Sequence, residues 1–200
     1  IFVSCSDDDE GYVPLPAVSP VVVDLAQVPY PKLSEYHFFE GAIKNQIPSL
    51  NVIPLEPASG LFTDYASKKR FIWMPNGTKA NYFADNKILD CPVGTALIKN
   101  FYYTTIQPGN TTQIIETRVM IRKSDGWKFY EYLWRDDQTD ADLVAGTDFA
   151  NGSSKTITFK KPNNEIVTTD YRIPSDAECF ACHKKNEIAT PIGIKPQNLN

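Results

Sequence analysis

Cys179-Phe180-Ala181-Cys182-His183 is the stretch of this chain best equipped for chemistry. Two thiols three positions apart can reach the two vinyl groups of a haem and form thioethers, and the histidine that follows is then set under the iron as an axial ligand. The spacing predicts a covalent haem c held by Cys179 and Cys182, with His183 on the metal. Two other readings compete. A redox dithiol belongs at a helix N-terminus after a strand, in a βαβ setting that these flanks lack, although a simple disulfide remains open. Half a zinc site would need further ligands, and only Cys91 and His37 are left, at unrelated spacing. Cys91, between Ile88-Leu89 and Pro92-Val93, reads as a buried, inert side chain.

The motif must be carried by something rigid. Ile173-Pro174-Ser175-Asp176-Ala177-Glu178 reads as the end of a strand, then Ser175 or Asp176 as the N-cap of a short helix bearing both cysteines. Upstream lie short apolar runs separated by turn residues: Arg70 to Met74, Thr78 to Phe83, Ala96 to Thr104, Thr112 to Arg122, Trp127 to Arg135, Lys155 to Lys160 and Glu165 to Arg172. Pro75-Asn76-Gly77, Pro108-Gly109-Asn110, Ser124-Asp125-Gly126 and Pro162-Asn163-Asn164 supply the turns. This pattern predicts a mainly β chain, an antiparallel β-sandwich or jelly-roll-like domain followed by the short helical haem-attachment segment.

Within the longest run, alternation puts Ile115, Thr117, Val119 and Ile121 on a core face and Glu116, Arg118, Met120 and Arg122 on the other. In the next, Trp127, Phe129, Glu131 and Leu133 oppose Lys128, Tyr130, Tyr132 and Trp134, so that strand is either covered on both sides or lines a binding surface. Pro14 to Pro31 suits an extended arm, and Leu33 to Ile43 a short helix or helical turn with Ser34 as N-cap. Asn76-Gly77-Thr78, Asn110-Thr111-Thr112 and Asn151-Gly152-Ser153 are plain turns.

Composition sets the outer limits. Apolar residues at 42% and charged residues at 22% are globular values, and aromatics at 12% favour strands. A net charge of -4 with scattered Lys and Arg argues against nucleic acid as a partner. No apolar run reaches the roughly eighteen residues of a membrane-spanning helix, so any membrane attachment within this sequence is through a lipid.

Ile1-Phe2-Val3-Ser4-Cys5 resembles the lipobox of bacterial lipoproteins, with Cys5 as the acylated residue, and Ser6-Asp7-Asp8-Asp9-Glu10-Gly11 resembles the surface-export signal that follows it in one large Gram-negative phylum. The expected organisation is 1–20 as signal-peptide remnant, lipidated Cys5 and acidic linker, 21–172 as the β-rich domain, and 173–200 as the start of a haem-binding region. Residues 184–200 are too few to wall in a macrocycle, so that region is expected to continue past Asn200.

Leu61-Phe62-Thr63-Asp64-Tyr65-Ala66-Ser67-Lys68-Lys69-Arg70-Phe71-Ile72, Pro75-Asn76-Gly77-Thr78 and Pro92-Val93-Gly94-Thr95-Ala96-Leu97-Ile98-Lys99 point further. With Ile115-Glu116-Thr117-Arg118, Asp125-Gly126-Trp127, Gln138-Thr139-Asp140-Ala141 and Pro191-Ile192-Gly193, they resemble a family of exported bacterial c-type haem (cytochrome c-like) proteins often encoded near a parallel β-helix protein. The resemblance spans about Tyr30 to Asn200. It implies a β-rich domain followed by a haem-attachment region and supplies no reaction. Some members carry a second haem motif, which here would lie beyond Asn200, and Cys91 departs from the aromatic or aliphatic residue expected at its position.

The segment after His183 also resembles that of small c-type cytochromes, which implies that the Pro191 carbonyl accepts a hydrogen bond from the second ring nitrogen of His183. For the sixth ligand the chain offers Met74, Met120 and His37. The same resemblance favours a residue after Asn200. The expectation is an outer-membrane lipoprotein, periplasmic or surface-facing, that passes electrons to a redox partner protein in the cell envelope. The alternatives are a haem-linked oxidoreductase acting on a carbohydrate or alcohol, with Tyr102, Tyr130, Tyr132 and Trp134 as a stacking surface, and a non-haem binding lipoprotein with a Cys179–Cys182 disulfide.

Overall fold

Turn chemistry and alternation organise the chain into one antiparallel meander. In the computed structural model, which describes residues 18–60 and 62–199, six strands pair in sequence order. They are β1 (Ile53–Pro54), β2 (Ser67–Trp73), β3 (Ala96–Ile106), β4 (Thr111–Lys123), β5 (Gly126–Trp134) and β6 (Ala141–Leu143). A short helix, α1 (Gly146–Asn151), leads into the hairpin of β7 (Ser153–Lys160) and β8 (Ile166–Ile173), which joins the sheet where Phe159 pairs with Ile106. The fold is therefore mainly β and sandwich-like, as the turn spacing predicts. Its strand order is that of a meander. Cys5 and the acidic run after it lie outside the described residues.

A two-residue connection links β4 to β5, and Gly126 closes it at φ 127°, a conformation that disfavours any side chain. The expected strand over Thr78 to Phe83 is a loop instead. Tyr82 and Phe83 are 60% and 70% exposed, and the segment's β-pairing among the described residues is the single Asn81–Asp90 bridge. Of the helix or helical turn expected over Leu33 to Ile43, the helical turn is what forms. Two 3-10 turns, Leu33–Tyr36 and Ile43–Asn45, each end in a left-handed residue, and the Ser34 hydroxyl bonds Asp140 at 2.6 Å instead of capping.

Strand β4 departs from simple alternation. Phe101 of β3 pairs with Glu116, but the next residue, Tyr102, pairs with Ile114, so Ile115 is an extra residue in a β-bulge. The bulge turns Ile115 to the same side as Glu116. Thr117, Val119 and Ile121 share their face with Ile114, not with Ile115 as strict alternation requires.

Each face of the sheet is covered. On the first, the extended arm packs Tyr30, Leu33, Tyr36 and Phe38 against Phe71, Ile98, Val119, Tyr132 and Trp134. Hydrophobic burial supplies most of this attachment, and polar bonds fix its position: the Tyr132 hydroxyl reaches the Tyr30 carbonyl and the Tyr36 hydroxyl, both at 2.9 Å. Tyr132→Phe strands these groups in a dry core and is expected to cost about 1–3 kcal/mol in urea unfolding.

The second face carries two apolar clusters. Under β7–β8 lie Phe101, Tyr103, Ile106, Ile115, Ile157, Phe159, Tyr171 and Ile173. At the other end are Ile72, Cys91, Met120, Trp127 and Ile194. Ile194 comes from the C-terminal segment, whose carbonyl there accepts from the Leu89 N–H at 3.1 Å, while the Asn198 carbonyl accepts from Ala58 N–H at 2.8 Å. Residues 174–199 are thus stitched across the β-domain rather than set apart from it.

Candidate functional site

Between those two clusters the second face turns polar. Alternation brings Lys99 of β3, Arg118 of β4 and Glu131 of β5 onto it, and the bulge leaves Glu116 there beside Ile115. Over this strip lies α2 (Asp176–Cys182). Its first turn is fixed by a capping box: Ser175 Oγ accepts from Glu178 N–H at 3.2 Å, and Glu178 Oε2 accepts from Ser175 N–H at 2.6 Å. Arg172 adds an ion pair to Glu178 at 2.8 Å.

Positions i, i+3 and i+4 share one flank of a helix, so Cys179, Cys182 and His183 are neighbours by geometry. They sit at different depths. Cys179 is buried and its thiol donates to Glu131 Oε1 at 3.1 Å, Cys182 is exposed, and His183 is half-buried with its ring 5.7 Å from that of Phe129. Both thiols are free. Beyond the helix, β9 (Lys184–Lys185) and β10 (Ile188–Ala189) form a tight hairpin through Asn186 and Glu187, both left-handed, and Thr190 N–H returns to the His183 carbonyl at 2.9 Å.

Pro191 is buried close by, but its carbonyl does not receive the imidazole proton. His183 Nδ1 is buried with no hydrogen-bond partner among the described residues. The hairpin anchors the histidine through its main chain, which leaves the ring nitrogen unserved. Among the sixth-ligand candidates, Met120 and Met74 pack in the apolar cluster that includes Phe129, whereas His37 is exposed on the arm that covers the opposite face.

The charges under α2 are poorly served by water. Glu116 and Glu131 have side chains only 1% exposed. Arg118 Nε binds Glu116 Oε1 and stands 4.0 Å from Glu131 Oε1. Burial raises the Glu131 carboxyl to about 7, against the opposing pull of the Cys179 hydrogen bond. Glu116 is raised by burial too, with Arg118 resisting. Burial, then the like charges of Arg118, Arg70 and Lys68, lowers Lys99 to about 8.

The same surroundings decide what the motif's own groups can do. Burial first, then the Glu131 carboxylate, pushes the Cys179 thiol up, so it is protonated and a poor nucleophile. Burial and the positive Lys99 push His183 down, which favours the neutral imidazole, the form that ligates metals. Among the described residues, Glu116 Oε2, Glu131 Oε2, the Tyr171 hydroxyl and His183 Nδ1 are buried without hydrogen-bond partners. The carboxylates and Lys99 escape a reading by alternation because they occupy positions opposite the core face. Burial by α2 is a tertiary fact.

Other residues singled out in the sequence fall elsewhere. Tyr132 and Trp134 are buried beneath the arm, and Tyr102 and Tyr130 pack against the same cluster, so these four form no stacking surface. Cys91 is 5% exposed, its thiol raised by burial to about 11, in keeping with a packing role. Among the described residues no three His, Cys, Asp or Glu side chains converge as a metal-binding group. Comparison of the chain with protein-family models, with curated proteins and with solved structures yields no match.

Proposed function

We propose that this chain is the haem-attaching part of a c-type cytochrome of the bacterial envelope, tethered by a lipid on Cys5 and passing electrons to a redox partner protein there. One observation carries the reading: two free thiols and an imidazole, in the order C-x-x-C-H, share one flank of a capped helix. The donor set fits the group, and the unserved Nδ1 of His183 leaves the ring without a competing bond that would fix its tautomer. Cys179 and Cys182 would hold the cofactor and His183 would ligate its iron. When bound, the haem supplies reversible one-electron exchange.

The chain's own contribution is to hold and to insulate. The capping box and the β9–β10 hairpin fix α2 from both ends, and the sheet beneath excludes water from the Cys179 side. A thioether at Cys179 has no proton to give, so attachment removes the donor that Glu131 Oε1 now uses.

The test is export of the chain into a periplasm that contains haem-attachment machinery, followed by a pyridine haemochrome spectrum and intact mass. One haem per chain is expected, none in the Cys179→Ser/Cys182→Ser double variant, and a lost axial ligand field in His183→Ala. Colourless wild-type protein with both thiols open to alkylation would overturn the reading.

A further inference from the structure

At the far end of the second face, away from α2, two aromatic rings stand in solvent. Phe62 is 74% exposed and Tyr65 47%, in edge contact at 5.2 Å. The backbone that presents them is strained, since Asp64 and Tyr65 are consecutive left-handed residues at φ 41° and 65°, a conformation that a bulky aromatic rarely adopts. The strain is braced from below. The Tyr103 hydroxyl donates to the Asp64 carbonyl at 2.8 Å, and Ala66 N–H to the Thr63 carbonyl at 2.7 Å. A structure that spends backbone energy to hold two rings out of the core has preorganised a platform.

Beside Tyr65 runs an open groove of about 380 Å³, within the range of small-molecule sites. Its floor is the Tyr103–Phe159 pair, with ring centroids 4.6 Å apart. Its rim includes Thr104 and Asn164, both exposed and neither using its side chain in a hydrogen bond among the described residues, and Lys161, which lies 5.5 Å from the Tyr65 ring centre and pairs with Glu165 at 3.2 Å. Aromatic planes flanked by idle neutral donors and acceptors suit a ligand with one C–H face and a girdle of hydroxyls. The weakly positive C–H groups meet the negative π face, and the hydroxyls meet the rim.

We infer that the groove beside Tyr65 binds a sugar ring, stacked on Tyr65 with its hydroxyls toward Thr104 and Asn164, while the Phe62 ring stands edge-on beside Tyr65. The site lies apart from α2 and stands whether or not haem is attached. Cellohexaose, xylohexaose, mannohexaose and hexagalacturonate, each added to the full chain, serve as probes in saturation-transfer NMR and calorimetry. At least one is expected to bind, with affinity about tenfold weaker in Tyr65→Ala and weakened also in Asn164→Ala. Phe62 and Tyr65 are surface rings, and an unchanged melting temperature verifies that the variants fold. Tighter binding of hexagalacturonate that fades with salt would assign the sugar as acidic through the rim lysines, and salt-independent binding of a neutral probe would assign it as neutral. Binding by none of the four at millimolar concentration, or binding that Tyr65→Ala leaves intact, would overturn the inference.

Discussion

The Glu131 carboxyl costs wild-type protein stability as pH rises from about 4.5 to about 7, and Glu131→Gln removes that share of the pH dependence. The carboxyl of Glu131 is raised by burial from 4.5 to about 7, so in this window the folded chain holds a proton that the unfolded chain has released. Folding then binds protons, and stability must fall as they become scarce, by about 3 kcal/mol once pH exceeds the folded value. With its side chain 1% exposed, water screens little of this.

His183 works in the opposite sense. Its lowered value adds stability as pH climbs toward the ordinary histidine range, and Glu116, raised like Glu131, persists in both proteins. The difference between wild type and Glu131→Gln isolates the one carboxyl. Urea midpoints at about pH 5 and about pH 8 measure it. Equal pH slopes for the two proteins would mean that Glu131 is solvated.

The other large effect belongs to a chain of side chains buried on the first face. Trp134 Nε1 donates to Thr117 Oγ1 at 2.9 Å, Thr117 donates to Asn100 Oδ1 at 2.7 Å, and Asn100 Nδ2 donates to Gln46 Oε1 at 3.0 Å. Asn100 and Thr117 are wholly buried, so no water can replace a missing partner. Thr117→Val keeps the volume but orphans the indole N–H and the amide oxygen together, at an expected cost of about 3 kcal/mol. Asn100→Ala adds a cavity to two orphans, for about 4 kcal/mol. Denaturant unfolding checks both, and a cost below about 1 kcal/mol for Thr117→Val would show the hydrogen bonds to be energetically idle.

The meander was readable because its information is local. Four turn clusters and the apolar runs between them place β2, β3, β4, β5, β7 and β8 within a few residues of where they fold. Where local signals mislead, a tertiary partner decides. Thr78 to Phe83 has strand-forming aromatics but pairs with no strand of the sheet, and Ala141–Leu143 is too short to stand out yet becomes β6 because it pairs with Tyr132 to Trp134. The bulge at Ile115 carries no sequence mark. At the site, the helix cap and the three motif residues were legible from spacing. Glu116, Arg118, Glu131 and Lys99 were not, because position on a strand gives the face and not what later covers that face. The return of the chain escaped the sequence for a related reason: the turn through Asn186 and Glu187 sets its path, and Thr190 meets His183 through its main chain.

One inserted residue lets β4 serve two layers. Ahead of Ile115 the strand offers Ile114 to the layer beneath the arm, the bulge adds Ile115 to the layer beneath the β7–β8 hairpin, and past it Val119 and Ile121 return to the first. Such a strand has a parity. Losing or gaining a single amino acid on either side of the kink would invert one half against the other, sending Glu116 and Arg118 into the apolar layer beneath the arm and Val119 and Ile121 into the polar strip under α2. Length changes in this protein are thereby confined to its connecting loops or to insertions of two, and the surface loops are where descendants of this chain have room to differ.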